Sequence, residues 1–125
     1  MIHVDTSALV DSLTGPRRSL PALRRFVERG ERLEVSAIVL YEWLRGPRQP
    51  QELEDQELLF PRSTAVAFGP VEAARAAEWY AALKRARGRE LDLAIAACAA
   101  VHGASLWTLN RGDFADLPGL ILAEP

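Results

Sequence analysis

Five strand-like runs, Ile2 to Asp5, Arg32 to Val35, Thr64 to Phe68, Ser105 to Leu109 and Leu120 to Ala123, punctuate a chain whose other segments mostly carry helical periodicity. Strands separated by helix-length connections cannot close as tight hairpins, and a helix between two strands brings the chain back to start the next one in the same direction. The pattern predicts an α/β fold in which a parallel sheet is covered on both faces by helices. At 125 residues, 49% of them hydrophobic, the whole span 1–125 suits one domain with its own core.

The predicted helices differ in character. Thr6 to Val10 opens one directly after the first strand. After Gly15-Pro16, Leu20, Leu23, Phe26 and Val27 recur at helical spacing, while Arg17, Arg18, Arg24, Arg25 and Arg29 cover much of the remaining surface. Ser36 is placed to cap Ala37 to Arg45, which Gly46-Pro47 stops. Gln51 to Leu59 reads as a short acidic helix between Pro50 and Pro61. Gly69-Pro70 opens a long helix with Glu72, Arg75, Glu78 and Arg85 along one face, ending in the basic loop Lys84 to Arg89. Leu93 to His102 is apolar nearly all round and reads as a buried helix. Asn110 to Asp113 forms a turn, and Phe114 to Leu117 forms about one helical turn before the last strand.

This order gives four scattered acids a common address. Asp5 and Asp113 follow strands, so they lie at the carboxyl edge of a parallel sheet; Asp92 starts a helix that leads into a strand, so it lies at the same edge. Glu42, about two turns into its helix, reaches back with its longer side chain. Helix capping accounts for Asp5, Asp92 or Asp113 singly, and a pair with Arg45 accounts for Glu42. Neither explains four acids at one edge, nor a charge among Ile38, Val39, Leu40, Trp43 and Leu44. Crowded carboxylates repel, and a hard divalent cation held through oxygen relieves that repulsion. Asp5, Glu42, Asp92 and Asp113 are therefore the candidate catalytic residues and metal ligands, with Mg²⁺ or Mn²⁺ as the expected cofactor.

Composition narrows the field. The lone cysteine, Cys98, lies in an apolar run, which excludes an intrachain disulfide and a thiolate metal site. Of the 15 basic residues only Lys84 is a lysine. Arginine's planar fork bonds two phosphate oxygens at once, although genome base composition also produces arginine-rich chains. A net charge of -2 argues against a free-standing basic RNA-binding module, but neutralising the four acids would leave a positive remainder. No apolar run is long enough to span a bilayer, and the N-terminus lacks a signal-peptide layout, so a soluble, cytoplasmic protein without a membrane partner is expected.

Four segments, in this order and spacing, resemble the PIN-domain nucleases, most closely the VapC toxins of bacterial and archaeal toxin–antitoxin pairs. They are Val4-Asp5-Thr6-Ser7-Ala8-Leu9, Tyr41-Glu42-Trp43-Leu44-Arg45-Gly46, Leu91-Asp92-Leu93-Ala94-Ile95-Ala96-Ala97 and Thr108-Leu109-Asn110-Arg111-Gly112-Asp113-Phe114. Each motif alone is weak; together they run over essentially the whole chain. The resemblance implies a three-layer fold about a five-stranded parallel sheet, Mg²⁺- or Mn²⁺-dependent endoribonuclease activity on RNA, inhibition by a VapB-like antitoxin, and a homodimer. By position, Asp5, Glu42 and Asp92 resemble the family's core metal ligands, Asp113 the fourth acid and Ser7 a supporting hydroxyl. Asn110 occupies the other place where the family sets its last acid, and either supports a water on the metal or makes an Asx-turn. Glu90 is a further acid beside Asp92. Arg87, Arg89 and Arg111 are candidate RNA-phosphate contacts, and Trp79 and Tyr80 are either dimer contacts or core residues.

Rival chemistries fit less well. A metal-free ribonuclease would use paired histidines, but His3 lies in the first strand and His102 at the far end of a helix that starts, rather than finishes, at the acidic edge. A phospho-acceptor or phosphatase site needs a lysine near its acids, and Lys84 sits on a helix; neither P-loop nor Rossmann glycines are present. Two readings remain beside the toxin: a housekeeping RNA-processing PIN nuclease, and a non-catalytic PIN-like module that binds RNA or protein. Such a module has no use for four mutually repelling acids.

Overall fold

Ile2, His3 and Val4 are all buried, as befits a strand covered on both faces, and they form β1 (Ile2–Val4) at the centre of the sheet in the computed structural model, which describes all residues 1–125. On one side β1 pairs in parallel with β2 (Leu33–Glu34), His3 opposite Glu34. On the other it pairs in parallel with β3 (Ser105–Trp107), Val4 opposite Trp107. The order is β2-β1-β3.

The outer two predicted strands are reduced to single parallel bridges, Val66 beside Ser36 and Leu122 beside Leu106. Three strands therefore stand where about five were expected. The physical reason lies in what flanks the outer segments. Residues Arg62–Thr64 wind into a 3-10 turn, in which the Thr64 amide bonds the Pro61 carbonyl at 3.0 Å, removing Thr64 from the extended run. The Leu120 amide turns back on the Leu117 carbonyl at 3.3 Å, so only the next residues reach β3. Short edges bounded by proline offer little open ladder to another chain.

Six helices flank the sheet: α1 (Thr6–Leu13), α2 (Leu20–Glu28), α3 (Ala37–Arg45), α4 (Pro50–Leu59), α5 (Pro70–Ala82) and α6 (Glu90–Val101). The Ser36 hydroxyl caps α3 by accepting from the Val39 amide at 3.2 Å. Leu23 and Phe26 are the buried positions of α2, and Phe26 meets Trp107 edge-on with ring centroids 5.1 Å apart. α6 is buried continuously from Leu93 to Ala99 and begins at Glu90, ahead of the apolar run, because Glu90 and Asp92 in its first turn suit the positive end of the helix dipole. Gly88, at φ 88°, supplies the left-handed turn that leads into it.

Two details depart from the expected faces. α5 ends at Ala82, which leaves Arg85 outside the helix, and Glu72 is buried rather than stacked in a surface row. Glu72 accepts from the Gly69 amide at 3.2 Å and lies 3.3 Å from His102. The helical turn expected at Phe114 to Leu117 forms instead at Arg111–Asp113, with Phe114 and Leu117 buried as anchors behind it. Trp79 is a core residue, 5% exposed, and donates from Nε1 to the Pro118 carbonyl at 3.1 Å. No helix is long and apolar enough to cross a membrane.

Candidate active site

Asp5 stands where β1 hands over to α1. Its amide donates to the Trp107 carbonyl at 2.8 Å, extending the β1–β3 pairing by one residue and bringing Asp5 beside Thr108. It occupies the N-cap position of α1, yet its side chain makes no capping bond. Instead Oδ2 accepts two hydroxyl bonds, from Ser7 Oγ at 2.8 Å and Thr108 Oγ1 at 2.7 Å. Asp5 is 4% exposed, so burying this charge requires such donors. Its Oδ1 accepts nothing from the protein.

The same hydroxyls shape the turn after β3. Ser7 Oγ accepts from the Leu109 amide at 3.1 Å, and Thr108 Oγ1 accepts from the Asn110 amide at 3.0 Å. The turn is thus made by the threonine hydroxyl. Asn110 forms no Asx-turn; its side chain is exposed.

Glu42 reaches this region from α3. Its Oε1 accepts from Thr6 Oγ1 at 2.7 Å, and its Oε2 faces Arg45 at 3.3 Å. The pair with Arg45 does form, but Thr6 adds a tie to the residue next to Asp5. Asp92 sits in the first turn of α6 and Asp113 at the end of the 3-10 turn beyond β3. Burial, and then the neighbouring Asp5, Glu42 and Asp113 in that order, push the Asp92 carboxyl up to about 6, while Arg89 pulls it back. Four acids from four elements therefore share one negative field.

As they stand, no three His, Cys, Asp or Glu side chains close around a point that would hold a metal ion. Glu42 is drawn toward Thr6 and Arg45. The donor chemistry nevertheless fits a hard divalent cation: carboxylate oxygens with hydroxyl support, and no thiolate or imidazole among them.

The remaining expected residues are placed as follows. Glu90 turns away to accept from the Gly88 amide at 3.2 Å. Arg89 grips both oxygens of Asp116, at 2.9 and 2.8 Å, and the Asp113 carbonyl at 2.7 Å. Arg111 bonds Glu124 at 2.7 Å and the Ala123 carbonyl at 3.0 Å. Arg87 is exposed and makes no ion pair. Sequence reasoning did not assign Thr6 and Thr108, although both lie inside the quoted motifs. Their only signal was position beside an acid or a strand end.

Fold and site together define an α/β domain with a carboxylate cluster at the carboxyl edge of a parallel sheet. Residues 2–120 match the PIN domain, and the chain belongs to that family. Among solved structures it is similar to VapBC2 from Rickettsia felis bound to a DNA fragment from their promoter, with TM-score 0.77, 22% identity and 98% of each chain covered. It is also similar to DNA-bound VapBC from Salmonella typhimurium, with TM-score 0.77, 22% identity and coverage of 98% of this chain and 96% of that one. A toxin–antitoxin complex from Klebsiella pneumoniae matches with TM-score 0.76, 25% identity and coverage of 97% and 96%. No curated protein gives a significant sequence match.

Proposed function

We propose that the protein is a VapC-type endoribonuclease toxin that depends on Mg²⁺ or Mn²⁺ and is restrained by a VapB-like antitoxin. The observation that carries this reading is the placement of Asp5, Glu42 and Asp113, from three other elements, near enough to Asp92 to add to burial in pushing its carboxyl up to about 6. Asp5, Glu42, Asp92 and Asp113 would hold the cation, which when bound makes water more acidic and offsets charge on the scissile phosphodiester. Ser7 and Thr108 fix Asp5 through one oxygen and leave the other without an intramolecular partner. Thr6 and Arg45 orient Glu42. Burial first, and then the neighbouring acids, raise the Asp92 carboxyl to about 6, a shift that a bound cation would oppose. Arg87, exposed and without an ion pair, is the free cation closest in sequence to the cluster and would meet a flanking phosphate. The toxin–antitoxin complexes among the structural relatives support a protein partner of the antitoxin kind. A homodimer is part of the same reading.

A second reading, a PIN-like binding module without cleavage, draws on the acids not closing into a cage. One experiment separates the two. Antitoxin-free protein is incubated with folded total RNA and Mg²⁺ or Mn²⁺, with EDTA and Asp5→Asn as controls, and cut ends are mapped. Cleavage lost in both controls, leaving 5′-phosphate ends, is the expected result. Mn²⁺ should also raise the melting temperature of the native protein far more than that of Asp5→Asn, since a ligand at 100 times its Kd stabilises by about 2.7 kcal/mol. Mn²⁺ binding without cleavage of any RNA would favour the module, and cleavage in EDTA would overturn the carboxylate mechanism.

A further inference from the structure

We propose that Arg89 is a positioning residue of this site, clamping the segment that carries Asp113 onto the helix that carries Asp92. The inference rests on the metal-dependent reading above and deepens it. Arg89 is the N-cap residue of α6, one turn before Asp92. Its two terminal nitrogens meet the two oxygens of Asp116 at 2.9 and 2.8 Å, the parallel fork-to-fork geometry that fixes direction as well as distance. One of them also donates to the Asp113 carbonyl at 2.7 Å. A single guanidinium thus pins the start of α6 to a segment 24 to 27 residues further along the chain.

The clamp has something to hold. The Asp113 side chain is exposed and makes no hydrogen bond or ion pair of its own, so the position of that carboxylate follows its backbone. Within the turn the Asp113 amide bonds the Asn110 carbonyl and the Phe114 amide the Arg111 carbonyl, while Arg111 ties its start to the Ala123 carbonyl and Glu124. Arg89 supplies the polar tie between this segment and the start of α6, complementing the buried anchors Phe114 and Leu117. Three hydrogen bonds engage the guanidinium, which leaves it no open fork for an RNA phosphate. Its charge also faces Asp92 and Asp113 and offsets part of their repulsion. A lysine would keep that charge but not the fork. Asp116 is half exposed and is none of the four clustered acids, so the clamp can be opened without touching them.

The test uses the full chain with Arg89→Lys, Asp116→Ala and the double variant. Mn²⁺ affinity is measured by calorimetry, and amide exchange of Asp113, Phe114 and Leu117 is followed without metal. Partners that orient metal ligands typically contribute 10- to 100-fold to metal affinity. The expected result is Mn²⁺ binding about 10-fold weaker in each single variant, no weaker still in the double, and faster exchange at the three amides, with the rest of the exchange pattern unchanged. Wild-type Mn²⁺ affinity in the variants would overturn the positioning role even if exchange rises. Unchanged exchange would overturn the clamp itself, without reference to metal. Failure of the wild-type protein to bind Mn²⁺ would instead remove the metal-dependent reading, and the positioning role with it.

Discussion

The Thr108 hydroxyl donates to Asp5 Oδ2 across 2.7 Å, although the two residues are 103 positions apart in the chain. They meet because β3 lies beside β1 and the Asp5 amide extends that pairing to the Trp107 carbonyl. Thr108 is itself buried and serves twice, as donor to Asp5 and as acceptor for the Asn110 amide. Thr108→Val keeps the shape and removes both bonds. A hydrogen bond to a charged group contributes about 1.5–3 kcal/mol, so urea unfolding should show a loss of about 2 kcal/mol, largely restored by Thr108→Ser. A Val variant within about 0.5 kcal/mol of wild type would mean that Asp5 does not depend on this donor.

Asp92 should make the metal-free protein less stable as pH rises. Its carboxyl is pushed from an ordinary 3.8 to about 6, so over that window the folded protein holds a proton that the unfolded chain has released. The neutral form is favoured by the fold, and the cost of ionising it grows through the window and is complete above about 6. Asp92→Asn should therefore raise the urea midpoint at pH 7 in EDTA and converge on wild type near pH 4. A lower midpoint at pH 7 would show that the carboxylate gains more from its surroundings than repulsion takes away.

His3 works in the opposite direction. Burial outweighs Glu34 and lowers its pKa from 6.5 to about 4, and neither ring nitrogen has a protein hydrogen-bond partner. A base whose folded pKa is depressed contributes stability that is present in full above 6.5 and is lost as pH falls toward about 4. Because Asp92 opposes this trend, the slope is cleanest in an Asp92→Asn background. There the urea midpoint should fall between pH 6.5 and 4.5, and adding His3→Leu should flatten the fall. An equally steep decline in the double variant would assign acid sensitivity elsewhere.

Arg87 and Arg111 should differ in RNA binding. Arg87 is unpaired, whereas Arg111 is already bonded to Glu124 and the Ala123 carbonyl. Losing one phosphate contact on a single strand reduces the slope of log K against log salt by about 0.7. Arg87→Ala, in a catalytically silent Asp5→Asn background, should show that change in a salt titration, and Arg111→Ala a smaller one. Equal slopes for Arg87→Ala and its parent would remove Arg87 from the RNA path.

Trp79 and Tyr80 separate into different roles. Trp79 is packed in the core with its indole nitrogen satisfied, while Tyr80 is 43% exposed. Trp79→Ala should cost about 3–5 kcal/mol in unfolding experiments, the usual range for a buried tryptophan. Tyr80→Ala should leave stability nearly intact, so it is the variant with which light scattering can test a dimer contact. A small stability loss for Trp79→Ala would contradict its place in the core.

Much of the architecture was legible from periodicity. The strand at Ile2 to Val4, the cap at Ser36 and the buried helix from Leu93 follow from local pattern, because burial on one or both faces writes a repeat into the residues. The outer strands were not legible in the same way. Thr64 to Phe68 has the alternation of a strand, yet the 3-10 turn at Arg62–Thr64 and the lack of a second neighbour reduce it to one bridge at Val66. Likewise, Glu72 carries the spacing of a surface charge, and only the approach of His102 and the cap at Gly69 explain its burial.

By itself, then, the sequence determined the order of elements and the edge at which Asp5, Glu42, Asp92 and Asp113 gather, since strand direction and helix entry follow from connectivity. Tertiary structure alone decided what holds each acid: Thr108 and Ser7 on Asp5, Thr6 on Glu42, Arg89 beside Asp92 and the Asp113 backbone. Hydrogen bonds extend only about 3 Å and depend on angle. Partners as far apart in sequence as Asp5 and Thr108 are therefore specified by the packing of β1 against β3, which no local pattern records.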